Sequence, residues 1–132
     1  MLYLLDTNIL SQVVRAPQGP IVARIRESGE PNVFTSIVVA AELRFGAIKL
    51  GSTKLTRGVE EVLNGINVEP LTVPSDRKYA ALRAHLERVG TPIGNNDMLI
   101  AAHALATDSI LVTDNVREFS RVPGLKIENW LR

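Results

Sequence analysis

The chain has 132 residues, 45% hydrophobic and 22% charged, the balance of a globular domain able to bury about two-thirds of its unfolded surface. Fifteen basic and 14 acidic residues leave a formal charge of +1, which excludes the overall basic field of many nucleic-acid binders, so any such contact is local. Without cysteine there are no disulfides and no thiol catalysis; with no apolar run of membrane-spanning length and no basic leader before Leu2–Leu5, the chain reads as cytoplasmic, with no membrane role.

Leu2-Tyr3-Leu4-Leu5 reads as a short strand buried on both faces, stopped by the turn and cap chemistry of Asp6-Thr7-Asn8. Ile9, Leu10, Val13 and Val14 follow at helical spacing until Pro17 and Gly19-Pro20 break the helix, and Ile21 to Glu27 forms a second one. Val33-Phe34-Thr35 is a second strand, and Ser36 caps a helix over Ile37–Leu50, closed by Gly51. A helix from Thr53 to Asn64 precedes a third strand over Val68–Val73, which Pro70 confines to an edge or to a short length. Ser75 caps an amphipathic helix over Asp76–Arg88, stopped by Gly90 and Pro92. Beyond the loop Thr91–Asn95, an apolar helix opens at Asp97 and runs to Ala106. Strand Ile110–Thr113, a helical turn over Val116–Phe119 and a last strand near Leu125–Glu128 complete the chain. Strands alternating with helices, short loops and no internal repeat predict one α/β domain over residues 1–132 with a mainly parallel sheet of four to five strands.

Four acids fall where such a sheet collects ligands, beyond the carboxyl ends of its strands. Asp6 follows the first strand and Asp114 the fourth, Glu42 lies two turns into the helix leaving the second, and Asp97 opens the helix that feeds the fourth. Converging carboxylates repel each other strongly at low dielectric, and a hard divalent cation resolves that conflict. Oxygen ligands alone favour Mg²⁺, with Mn²⁺ as the alternative. Zinc is disfavoured, since His85 and His103 stand on different helices and His103, six residues beyond Asp97, faces another way, as packing or a rim donor. Hydrolysis of a phosphodiester is the chemistry that a cation held by such acids serves best.

These residues resemble a known family. Leu5-Asp6-Thr7-Asn8-Ile9-Leu10 and Ala41-Glu42-Leu43-Arg44-Phe45-Gly46 look like the first two motifs of PIN-domain ribonucleases. Pro92 to Asp97 with Ile100-Ala101-Ala102-His103-Ala104 is similar to the third, and Leu111 to Phe119 with Val122-Pro123-Gly124-Leu125 and Trp130 resembles the C-terminal end. The resemblance covers the whole chain, at the length of the toxin subunit of VapBC-type toxin–antitoxin pairs. It implies a PIN-like α/β/α sandwich and a Mg²⁺- or Mn²⁺-dependent endoribonuclease that cuts structured RNA, of the tRNA or rRNA class, and arrests translation. It also implies a cognate antitoxin, a homodimer, and contact with operator DNA only through the antitoxin.

By position, Asp6, Glu42 and Asp97 match the family's acids. The fourth place departs from the pattern: many members have Thr-x-Asp there, which puts the neutral amide of Asn115 at the acid's position. Asp114 beside it and Glu118 one turn on are the two candidates for the missing charge. Thr7, Asn8, Ser36, Thr113 and Asn115 are read as polar groups that orient the carboxylates. Two other readings stand beside this one. An aspartyl phosphatase needs a second acid two residues after the first, where this chain has Asn8. A PIN fold that has lost catalysis and serves as a binding module rests on Asn115.

Overall fold

In the computed structural model, which describes residues 1–131, the apolar tetrad Leu4, Leu5, Leu111 and Val112 is fully buried at the centre of a parallel sheet. Its strands are β1 (Tyr3–Leu5), β2 (Val33–Ser36), β3 (Asn67–Glu69), β4 (Ile110–Val112) and β5 (Lys126–Glu128), in the order β3-β2-β1-β4-β5. Leu4 is paired with Phe34 on one side and Leu111 on the other. The chain walks outward from β1 to β3, then returns to lay β4 on the opposite flank of β1. That reversal opens a crevice at the carboxyl ends of β1 and β4, and the residues that leave those two strands are Asp6 and Thr113.

Right-handed crossovers place α1 (Thr7–Arg15), α2 (Pro20–Ser28), α3 (Ile37–Leu50) and α4 (Thr53–Asn64) over one face of the sheet. The paired helices α5 (Ser75–Val89) and α6 (Asn95–Ala106) cover the other, and the single turn α7 (Val116–Phe119) follows β4. The predicted caps at Asp6 and Ser36 form: Asp6 Oδ1 accepts from Thr7 N at 2.8 Å and Ser36 Oγ from Val38 N at 3.2 Å. Gly51, at φ 64°, ends α3 in a left-handed conformation that a side chain would strain. Among the described residues no helix is long and apolar enough to cross a membrane.

Two expectations shift. The third strand is shorter and earlier than predicted, because Pro70 has no N–H to continue the ladder, and residues 70–74 connect β3 to α5. Ser75 does not cap α5: it is the buried first residue of that helix, and Pro74 takes the capping position without a side-chain hydrogen bond. At the far edge Trp130 packs its ring 5.4 Å from Tyr3 under the Arg24 guanidinium and donates from Nε1 to Glu128 Oε1 at 3.0 Å. This ties the end of the chain back to β1.

Candidate active site

Asp6 is 4% exposed at the mouth of the crevice, deep enough that its charge needs partners. One is its own helix cap, Thr7 N. The other is Thr113 Oγ1, which donates to Oδ2 at 2.7 Å while accepting from Asn115 N at 3.0 Å. Burial raises the Asp6 carboxyl above its usual range, the two hydrogen bonds oppose that, and the nearby charges of Glu42 and Glu118 add to it.

Glu42 projects from α3 and is half-buried; Thr7 Oγ1 donates to its Oε1 and Asn96 Nδ2 reaches its Oε2 at 3.4 Å. Asp97 is the third residue of α6, where the exposed N–H groups of the first turn favour negative charge. Among the described residues none donates a hydrogen bond to its carboxylate. Burial pushes it up to about 7, helped by the charges of Asp6, Glu118 and Glu42. All three neighbours named there are acids, so Asp97 is the group that gains most from a cation.

Glu118, half-buried on α7, faces this cluster. Gly94 N donates to its Oε1 at 3.2 Å and Asn115 Nδ2 to its Oε2 at 2.7 Å. A side chain at Gly94 would put its Cβ 3.6 Å from Asp97 Oδ2, so the loop before α6 passes close to both acids. Asp114 lies on the exposed side of the same turn: its Oδ1 accepts from Asn129 Nδ2 at 2.9 Å, and its N–H donates to Asn8 Oδ1 at 3.1 Å. Of the expected orienting groups, Thr7, Thr113 and Asn115 each hold an acid of the cluster, Asn8 holds the Asp114 turn, and Ser36 serves as the α3 cap. Asn96 and Gly94 escaped the sequence reading. Beside Asp97 they look like ordinary helix-start residues, and only the folded chain brings them to Glu42 and Glu118.

The donors that hold these acids are hydroxyls, amides and backbone N–H groups. Neutral donors fix direction without cancelling charge, so the cluster keeps its attraction for a cation. Among the described residues no group of three or more His, Asp or Glu side chains is placed so that it could hold a metal ion together. A closed cage is not what Mg²⁺ requires, since it commonly binds through one or two carboxylates and keeps several waters. The donor set therefore fits a hard divalent cation.

Thr113→Val tests the orienting role. It keeps the shape of the side chain but removes the hydroxyl from Asp6, and we expect catalytic activity at this site to fall roughly 10- to 100-fold. A melting curve that still shows a cooperative transition separates this loss from unfolding. Unchanged kcat/KM would mean that Asp6 does not need Thr113.

Comparison with known proteins agrees with this architecture. The PIN domain family model matches residues 3–125. Ribonuclease VapC2 of Rickettsia felis is 34% identical over 132 residues, covering 98% of each chain. The tRNA(fMet)-specific endonuclease VapC of Salmonella typhimurium is 33% identical over 129 residues, covering 97% of each. In a crystal structure of VapBC2 from Rickettsia felis bound to a DNA fragment from their promoter, one chain superposes with a TM-score of 0.88 at 34% identity, covering 98% of this chain and 99% of that one. Acids hung on the strand ends of a parallel sheet, in a chain similar over nearly its full length to VapC ribonucleases, place this protein in the PIN-domain family.

Proposed function

We propose that the chain is the toxin of a toxin–antitoxin pair, a Mg²⁺- or Mn²⁺-dependent endoribonuclease of the cytoplasm that cuts structured RNA and so inhibits translation. A cognate antitoxin neutralises it and alone carries the pair to operator DNA, and the chain acts as a homodimer. The observation that carries the catalytic reading is Asp97, a carboxylate pushed up to about 7 by burial and by three neighbouring acids, with no described donor of its own. A structural carboxylate would have a hydrogen bond or an ion pair in place of that strain.

Asp6 and Asp97, with Glu42 and Glu118 beside them, would hold the cation. The cation supplies charge neutralisation at the scissile phosphate and makes a water easier to deprotonate. The protein's part is placement. Thr7 and Thr113 fix the Asp6 and Glu42 oxygens before substrate arrives, Asn96 steadies Glu42, and Asn115 with Gly94 aims Glu118. The neutral amide of Asn115, the basis for a fold without catalysis, thus has a place in the catalytic reading as the donor that orients Glu118.

Cleavage of a structured RNA by the purified protein, with Mg²⁺, with Mn²⁺ and with EDTA, tests this reading. Cutting in the first two and none in the third is expected; equal cutting in all three would overturn it. A paired comparison assigns the fourth acid. Glu118→Gln should reduce kcat/KM at least about tenfold, by removing a charge beside Asp97, whereas Asp114→Asn should stay within about threefold. The opposite order would return that role to Asp114.

A further inference from the structure

The loop that leads into α6 is gripped by the turn that follows β4. Residues 90–94 connect α5 to α6, and Ile93 among them is buried in the core. The backbone groups on either side of Ile93 are held by two side chains of that turn. Arg121 Nη1 donates to Pro92 O at 3.0 Å, and Gly94 N donates to Glu118 Oε1 at 3.2 Å. Among the described residues, these are the hydrogen bonds that join residues 92–94 to an element other than α6.

The turn itself is firmly seated. Arg121 N donates to Glu118 O and Val122 N to Phe119 O, each at 3.1 Å and three residues back. In such a turn side chains three apart lie over one another, so Glu118 and Arg121 leave it on one side. Phe119 and Val122 are buried, which anchors the turn in the core. Arg121 is exposed and joins none of the ion pairs found among the described residues. Water would satisfy its guanidinium as well as a carbonyl does, so what the bond to Pro92 fixes is the loop. The loop has a load to bear. Asp97 lies three residues beyond Gly94, and the charges of Asp6, Glu118 and Glu42 all oppose its own. That repulsion pushes the start of α6 outward, and the bonds at Pro92 and Gly94 resist it.

We propose that Arg121 is a positioning residue of the acid cluster. By holding the Pro92 carbonyl it keeps Gly94 N–H on Glu118 and fixes the start of α6, and so sets the spacing of Asp97 and Glu118 for a divalent cation. This rests on the metal-dependent reading of the site given above. Arg121 itself touches no reacting group.

Arg121→Met keeps the apolar stem and removes the donors. Arg117→Met takes the same charge from the same turn and serves as the control, since Arg117 is exposed on α7. Both side chains are exposed, so both variants keep the core. In the metal-free protein, without RNA, the Gly94 amide resonance should shift and exchange faster with solvent in Arg121→Met and stay in place in Arg117→Met. The Mg²⁺ concentration that gives half of the rise in melting temperature should increase about tenfold in Arg121→Met. At limiting Mg²⁺ its kcat for RNA should fall about tenfold, with KM within about threefold. An unmoved Gly94 amide, an equal shift in Arg117→Met or an unchanged Mg²⁺ midpoint would each overturn the proposal. A raised KM with unchanged kcat would overturn it too, and make Arg121 a contact to RNA phosphate. If the unmodified protein cuts no RNA, the nuclease reading fails by itself, and the Gly94 amide and the Mg²⁺ midpoint still decide the role of Arg121.

Discussion

Asp97→Asn should lower RNA cleavage at least a hundredfold, roughly the upper end of what loss of a mere supporting partner around a metal costs. The same substitution should leave the metal-free fold intact and, at pH 8, make it more stable. Asparagine is nearly the size of aspartate but carries no charge, and the charge at this position is opposed by burial and by Asp6, Glu118 and Glu42. Loss of activity with a gain in melting temperature separates a functional carboxylate from a structural one. A structural Asp97 would lose stability on substitution and would leave the cleavage rate per folded molecule unchanged. Cleavage within about threefold of the unmodified protein would remove Asp97 from the mechanism.

The stability of the metal-free protein should fall as pH rises from about 4 to 8. Asp97 titrates near 7 in the folded chain against an ordinary value of 3.8, and Asp6 is shifted in the same direction. Below about 4 the carboxyl is protonated in both states. Between there and 7 the folded chain holds a proton that the unfolded chain has released, so each step up in pH favours unfolding. Above 7 both states are ionised and the penalty is complete. Mg²⁺ acts on the ionised form alone. At pH 8 and saturating Mg²⁺ the melting temperature should rise by several degrees, with little change at pH 5. Thermal melts on a grid of pH and Mg²⁺ measure this. A Mg²⁺ shift as large at pH 5 as at pH 8 would show that the ion acts elsewhere, and Asp97→Asn should flatten much of the slope with pH.

Much of this site could be read from the chain alone. Leu4-Leu5-Asp6 and Leu111-Val112-Thr113 are apolar runs that end in polar residues, and a parallel sheet makes such ends meet. The caps at Asp6 and Ser36 were legible because capping is a local hydrogen bond between near neighbours. What escaped was side-chain direction within a turn. Asp114 and Glu118 both follow β4 within a few residues, and only the path of the turn turns Asp114 toward Asn129 and Glu118 toward Gly94. Strand length at the edge was overestimated for a similar reason. Beyond Pro70 the apolar residues Leu71 and Val73 continue a strand-like pattern, but no N–H at Pro70 extends the ladder.

The hydrogen bond from Thr113 to Asp6 also has a consequence in time. Its partners lie 107 residues apart, and α6 and α7, which carry Asp97 and Glu118, belong to the last third of the chain. During synthesis Asp6 emerges long before its neighbour Thr113 at the end of β4. A growing chain can close β1 against β2 and bury α1, but it has no acid cluster until β4 pairs with β1. A nascent chain therefore has no assembled acid cluster until β4 has emerged and paired with β1, however early Asp6 is made.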